Sequence, residues 1–132
     1  MDIWLLVGIF VIVDLALLTF MVVARSRRGF STEVKGKYLE HWKRIGSMEG
    51  RQAVMEADKM LDELMTRRGY KGTLGEKLKK AGPAFTNVNN VWAAHKLRNR
   101  LAHELDAKIT DSEAKTALNG YKLAFKDLGL KV

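Results

Sequence analysis

The sequence contains no cysteine and only one proline. Without thiols, the chain can form neither a disulfide framework nor a cysteine-ligated zinc site or iron–sulfur cluster, and it cannot use thiol catalysis. With 47% hydrophobic residues and little proline, the composition excludes a collagen-like or disordered chain. The length of 132 residues allows one small folded domain with at most one attached segment.

Lysine and arginine are absent from the first 24 residues, where the sequence has its one long apolar run. Residues 3–24 carry a single charge, on Asp14. At about 1.5 Å per residue, a helix of this length can cross a bilayer core of about 30 Å. We therefore predict a transmembrane anchor over residues 1–24. The alternative, a cleavable signal peptide, is disfavoured by the length of the run and by the lack of basic residues before it.

Basic residues begin directly after the anchor, at Arg25, Arg27 and Arg28. The positive-inside rule then places the N-terminus outside the cell membrane and residues 25–132 in the cytoplasm. We expect residues 25–32 to form a basic linker whose arginines meet anionic headgroups of the lipid bilayer. Asp14 has two interpretations: a polar contact between two spans that supports oligomerisation, or a protonated carboxyl group that an otherwise apolar helix tolerates.

Apolar residues recur at helical spacing throughout residues 33–132, and no stretch alternates for long as a β-strand would. This spacing predicts helices over residues 33–44, 48–68, 73–81, 87–105 and 110–128. Thr73 with Glu76, and Thr110 with Glu113, have the spacing of capping boxes, which mark the starts of two of these helices. The predicted fold class is all-α, with one transmembrane helix followed by a small cytoplasmic helical bundle.

The fourth predicted helix carries polar side chains on or beside its apolar face: His95, Arg98, Asn99 and His103. At about 100° per residue they fit an arc of about 140°. The inward face is marked by Val88, Val91, Trp92 and Ala102. Polar groups on such a face need partners, because an unpaired buried group costs about 1–3 kcal/mol. They can form a closed network, face a symmetry mate in a dimer, or line a cleft, and spacing alone favours the network.

The hexapeptide Arg98-Asn99-Arg100-Leu101-Ala102-His103 resembles the Arg-polar-x3-His signature of HEPN domains. The resemblance extends over residues 32–130, where the signature lies in a late helix and a capped amphipathic helix follows it. HEPN domains are small α-helical bundles of prokaryotic toxins, RNA-processing factors and defence systems. The resemblance therefore implies a HEPN-like domain over residues 33–132.

The resemblance also implies a metal-independent endoribonuclease that acts as a homodimer, in which two copies of the motif meet in a shared cleft. It assigns proton transfer to His103, either as a base on the ribose 2′-OH or as an acid toward the leaving oxygen. Arg98 would hold the scissile phosphate, and Asn99 would orient the phosphate or the histidine. Glu104 would be a supporting neighbour, and His95 would be either a supporting neighbour or a purely structural residue. Histidine titrates near neutral pH and arginine presents a fixed fork to phosphate, which suits this chemistry. No metal or other cofactor is expected.

Whether the domain is an enzyme stays open on the sequence alone. All 23 basic residues but only 13 of the 15 acidic residues lie in residues 25–132, and the resulting net charge of +10 suits RNA, a nucleotide or lipid headgroups. Two groups of basic residues form either such a binding surface or an ordinary solvated one: Arg67, Arg68 and Lys71, and Lys77, Lys79 and Lys80. The alternative function is non-catalytic: a membrane-anchored scaffold or binding module for a cytoplasmic protein partner or a nucleotide.

Overall fold

The computed structural model describes residues 2–132, and at Ser26 and Arg27 it describes the backbone alone. Within this range the chain is all-helical and contains no β-strand. The helices are α1 (Ile3–Arg27), α2 (Thr32–Ile45), α3 (Gly50–Arg67), α4 (Leu74–Ala81), α5 (Val88–His103) and α6 (Asp111–Asp127), and a 3-10 turn covers Gly82–Ala84. The all-α prediction is confirmed, and the predicted boundaries of α2 to α6 are correct to within two residues.

Helix α1 is long and apolar enough to cross a membrane over Ile3–Arg25. The rest of the described chain covers none of its most apolar part, and the side chains of Phe10 and Phe20 are 68% and 69% exposed. A continuous apolar surface of this length is stable in lipid and unstable in water.

The first helix continues past residue 24 to Arg27. The chain between α1 and α2 is therefore shorter than the predicted linker of residues 25–32. The physical reason is that neither glycine nor proline occurs between Ala24 and Gly29. The predicted contact between Arg27 and lipid headgroups lies outside the described side chains.

The end of α1 is attached to the helical domain through Arg68, which follows α3. Its guanidinium group donates to the backbone oxygen of Leu128, with Nε at 3.0 Å, and also to the backbone oxygen of Arg28. The same group lies over the ring of Phe30, 3.8 Å from its centroid. One buried cation thus joins the segment after α1, the end of α3 and the end of α6.

The two predicted capping boxes are present. The backbone N–H of Glu76 donates to Thr73 Oγ1 at 3.2 Å, and that of Glu113 donates to Thr110 Oγ1 at 3.1 Å. Each glutamate in return accepts from the backbone N–H of its threonine. These bonds satisfy N–H groups that the first turn of a helix leaves unpaired, which explains why α4 and α6 begin where the sequence predicts.

The core lies around α3, which packs against α2, α5 and α6. The predicted apolar stripe of α3 is fully buried: Val54, Ala57, Leu61, Leu64 and Met65. The aromatic residues predicted to be in the core are also there, with Tyr38, Tyr121 and Phe125 buried and the partly exposed Trp42 packed edge-on against Phe125. Helix α5 is therefore held between α3 and α6, which determines which of its side chains reach the interior.

Two of the basic residues expected at the surface are buried. Lys77 is 4% exposed, and its ammonium group lies 2.6 Å from Asp62 Oδ1 and 2.7 Å from Thr66 Oγ1. Arg68 is 8% exposed and makes the junction described above. The expectation of a surface role was wrong for both residues, because each has partners on a neighbouring element that sequence spacing does not reveal.

Candidate functional site

The buried face of α5 differs from the predicted one. Its buried residues are Val91, Ala94 and Leu101, and Ala102 is exposed although it was assigned to the inward face. The cause is a close approach of α6: a Cβ atom added at Gly120 would lie 3.2 Å from the backbone oxygen of Asn90 and 3.8 Å from Ala94 Cβ. Small residues on both helices let this side of α5 face the core.

The centre of the candidate site is Asp58 on α3, which is 4% exposed. Its Oδ1 accepts a hydrogen bond from the Tyr121 hydroxyl at 2.8 Å and lies 2.8 Å from His95 Nδ1. Its Oδ2 forms an ion pair with Arg98, whose Nε is 3.3 Å away. A buried carboxylate is costly unless it is paired and hydrogen-bonded. Helices α3, α5 and α6 together supply the partners that make this one stable.

Asn99 connects the two residues that flank it on α5. Arg98 Nη1 donates to Asn99 Oδ1 at 3.1 Å, and Asn99 Nδ2 lies 3.4 Å from His95 Nε2. A guanidinium group only donates, so the oxygen of the amide faces Arg98 and its nitrogen faces His95. His95 then has an unprotonated Nε2, and its proton is on Nδ1, facing Asp58.

Burial raises the pKa of the Tyr121 hydroxyl, and the negative charge of Asp58 raises it further. The hydroxyl therefore stays neutral over the ordinary pH range and remains a donor to the carboxylate. Tyr121 thus stabilises Asp58 from the core side, while His95 and Arg98 contact it from the other side.

The side chains of Asp58, His95, Arg98 and Asn99 line one wall of an open cleft of about 540 Å³. The side chain of Arg98 is 33% exposed and that of His95 is 13% exposed. The remaining wall comes from α3 and from the start of α4: Met55, Glu56, Lys59, Asp62, Thr73, Leu74 and Gly75. A cleft of this volume is within the range of small-molecule and nucleotide sites, about 300–1,000 Å³.

His103 lies apart from this cleft. It is the last residue of α5, it is exposed, and it is not among the residues that line the cleft. Its position follows Ala94 by nine residues, which places it on the opposite side of the helix, about 180° away. Among the described residues, no hydrogen bond or ion pair is found for its side chain.

Glu104, expected beside the motif, is the exposed C-cap of α5, and its backbone N–H donates to the oxygen of Arg100 at 3.0 Å. The Arg100 side chain pairs with the exposed Glu113 at 3.3 Å. The structure therefore brings together His95, Arg98 and Asn99 and leaves His103 and Glu104 outside their cleft. No group of three or more His, Asp or Glu residues suited to a metal ion is found within the described range.

Sequence reasoning missed Asp58 as a site residue and placed Tyr121 only in the core. A signal for Asp58 was present: it follows Val54 by four residues and precedes Leu61 by three, so it interrupts the apolar stripe of α3 with a charge. The Tyr121 hydroxyl has no comparable signal, since tyrosine is common in cores.

No protein-family model, no curated protein and no solved structure matches this chain. The resemblance to HEPN domains therefore rests on the motif and on its place in the sequence.

Proposed function

We propose that the protein is a membrane-anchored HEPN-like endoribonuclease that acts as a homodimer and needs no metal ion. The observation that carries this proposal is the state of Arg98. Its guanidinium group lies beside Asp58 and Asn99, and its side chain is one-third exposed in an open cleft. This is the arrangement expected of a preorganised receptor for a phosphate group.

The remaining donors of Arg98 suit a scissile phosphodiester. Its Nε lies 3.3 Å from Asp58 Oδ2 without donating a hydrogen bond to it, its Nη1 donates to Asn99, and within the described chain its Nη2 makes no hydrogen bond. A guanidinium group whose orientation is already determined loses little conformational freedom when it binds phosphate oxygens. In the transition state it would offset the negative charge that develops on those oxygens.

The proton-transfer role of His103 requires a second copy of the chain. Arg98 and His103 are separated on α5 by about 7.5 Å along the axis and about 140° around it. His103 is exposed, so it is accessible to the cleft of a partner. A shared cleft would then combine Arg98 and Asn99 of one protomer with the histidine of the other.

The anchor favours this dimer. Confining the domain to one membrane surface raises its local concentration, which assists the pairing of weakly associating modules. In this proposal residues 25–132 are on the cytoplasmic side, Arg25 and Arg28 lie at the level of the headgroups, and Asp14 contacts the α1 helix of the partner. The substrate is RNA that reaches the inner membrane surface.

A second candidate function is binding without cleavage, of a nucleotide or a cytoplasmic protein partner. It is favoured by the closed network of Asp58, His95 and Tyr121, because such a network also serves a purely structural purpose. Cleavage requires both Arg98 and His103, whereas binding in the cleft requires only Arg98.

The test uses the full chain in lipid nanodiscs, incubated with a mixed pool of labelled RNA in EDTA. We expect cleavage by the wild type, a loss of at least about 100-fold in Arg98→Ala, and nearly unchanged activity in Arg100→Ala. Arg100 is a matched control because it is on the same helix and pairs with an exposed glutamate. A wild type that binds nucleotide or RNA through Arg98 without cleaving it would support the second candidate and contradict the first.

A further inference from the structure

We propose that His95 is the general base of the reaction, with Asp58 fixing its tautomer, and that His103 of the partner protomer is the acid that protonates the leaving oxygen. This inference rests on the proposed ribonuclease function. It divides between two histidines the proton transfers that the motif alone assigns to one.

The Asp58–His95 pair has the geometry of a carboxylate that orients a base. His95 Nδ1 lies 2.8 Å from Asp58 Oδ1, and the Tyr121 hydroxyl anchors the same oxygen from the core at 2.8 Å. A carboxylate at Nδ1 holds the proton there, so the lone pair is on Nε2, and it stabilises the imidazolium that forms when Nε2 accepts a proton. His95 therefore has the orientation and the partner that a general base requires.

His95 lines the cleft, and its Nε2 lies 3.4 Å from Asn99 Nδ2. This separation is long for a hydrogen bond, so a substrate hydroxyl can take the place of the amide at small cost. Arg98 follows His95 by three residues and lines the same cleft. A phosphate on Arg98 therefore brings the adjoining ribose 2′-OH to the side of the cleft where Nε2 lies.

The surroundings of His103 differ from those of His95. Within the described chain no carboxylate contacts its side chain, and it is exposed on the far side of α5 from the core. An exposed imidazole that nothing holds in one tautomer is suited to donate a proton in a cleft that closes only when a second protomer arrives.

His95 and His103 together account for both proton transfers in the cleavage step. The 2′-OH proton passes to His95 Nε2 as the 2′-oxygen forms a bond to phosphorus. The bond between phosphorus and the 5′-oxygen breaks, and that oxygen takes a proton from the His103 imidazolium. The products are a 2′,3′-cyclic phosphate and a 5′-hydroxyl, and exchange with water returns both histidines to their starting states.

Two substrates distinguish the base from the acid. One is RNA, and the other is a uridine 3′-phosphate ester of 4-nitrophenol, whose leaving group departs without protonation. In the full chain in nanodiscs, His95→Asn should lower the cleavage rate at least about 100-fold on both substrates. His103→Ala should lower the cleavage rate by a similar factor on RNA and change it less than about threefold on the activated ester.

The variants include controls for folding and for histidine loss. Asn at position 95 keeps an amide donor for Asp58 but offers no nitrogen that accepts a proton, and its helical circular dichroism should match the wild type. His41→Ala should retain activity on both substrates, because His41 is not among the residues that line the cleft and pairs with the rim residue Glu56, at 3.5 Å.

A second readout does not depend on activity. The chain has three histidines, so 15N NMR of the full chain in detergent can assign each ring. His95 should carry its proton on Nδ1, and Asp58→Asn should abolish that preference. A proton on Nε2 of His95, or retained activity in His95→Asn, overturns this inference alone. A wild type that cleaves neither substrate overturns the ribonuclease proposal and this inference with it.

Discussion

The two halves of the polar segment of α5 have opposite environments. Its first half, with His95, Arg98 and Asn99, is held by Asp58 in the wall of a cleft. Its second half ends at His103, which is exposed and lies on the opposite side of the helix from Ala94. Both halves contain a histidine and an arginine, so residue type alone does not distinguish them. The difference teaches that rotation of a helix against its neighbours decides which part of a motif has partners within one chain.

The largest expected effect on stability comes from removing the Asp58 carboxylate, which holds the first half of the polar segment of α5. Asp58→Ala leaves His95, Arg98 and Tyr121 without their common partner and should lower the free energy of unfolding by about 3 kcal/mol. The measurement is denaturant unfolding of the full chain in detergent, followed by the fluorescence of Trp42 and Trp92. Asp106→Ala, at an exposed position, is the matched control. Equal stability of the two variants would contradict the assigned role of Asp58.

The hydrogen bond from Tyr121 to Asp58 is expected to contribute less to the free energy of unfolding than the Asp58 carboxylate itself. Tyr121→Phe removes one hydrogen bond to a buried carboxylate and should destabilise the domain by about 2 kcal/mol. Tyr38→Phe is the comparison, because its hydroxyl accepts from the exposed Arg67 at 2.9 Å. A larger cost for Tyr38→Phe than for Tyr121→Phe would show that the first half of α5 is not held from the core.

The same hydroxyl predicts a dependence on alkaline pH. The pKa of Tyr121 is raised by burial and by Asp58, so its contribution to stability is complete below pH 10 and is lost as the pH rises above it, where the unfolded chain ionises and the native chain does not. Between pH 9 and 11 the wild type should lose about 1.4 kcal/mol more than Tyr121→Phe. Parallel unfolding curves for the two proteins across this range would contradict the raised pKa.

The smallest expected effect on stability is at His103, in the second half of the polar segment of α5. His103→Ala should change the free energy of unfolding by less than about 0.5 kcal/mol, because the side chain is exposed and at a helix end. The same thermal or denaturant unfolding experiment measures it. A loss of more than about 1 kcal/mol would indicate a structural role for His103 and remove the contrast between the two halves.

Much of the fold could be predicted from the sequence because its signals are local. Apolar spacing and the Thr73 and Thr110 caps determine where helices begin and end, and these are properties of a few consecutive residues. Helix α1 continues beyond the predicted anchor to Arg27, because arginine does not end a helix and neither glycine nor proline follows Ala24 before Gly29. The burial of Lys77 was missed, since its partner Asp62 lies on another helix.

The candidate site was predicted less completely because it depends on contacts between distant residues. Asp58 and His95 are 37 residues apart, and only the packing of α3 against α5 brings them together. The rotation of α5 also depends on the close approach of α6 at Gly120, which no motif encodes. Of the three arrangements considered for the polar side chains of α5, the structure contains the hydrogen-bonded network, and the same side chains also line a cleft.

The most direct test of the shared-cleft account is complementation between two inactive chains. Arg98→Ala and His103→Ala protomers are mixed before reconstitution into nanodiscs, and RNA cleavage in EDTA is compared with that of each variant alone. If Arg98 and His103 act across a dimer, half of the dimers hold one intact cleft, and the mixture should recover about a quarter of wild-type activity. Two inactive variants whose mixture stays inactive, beside an active wild type, would contradict the account.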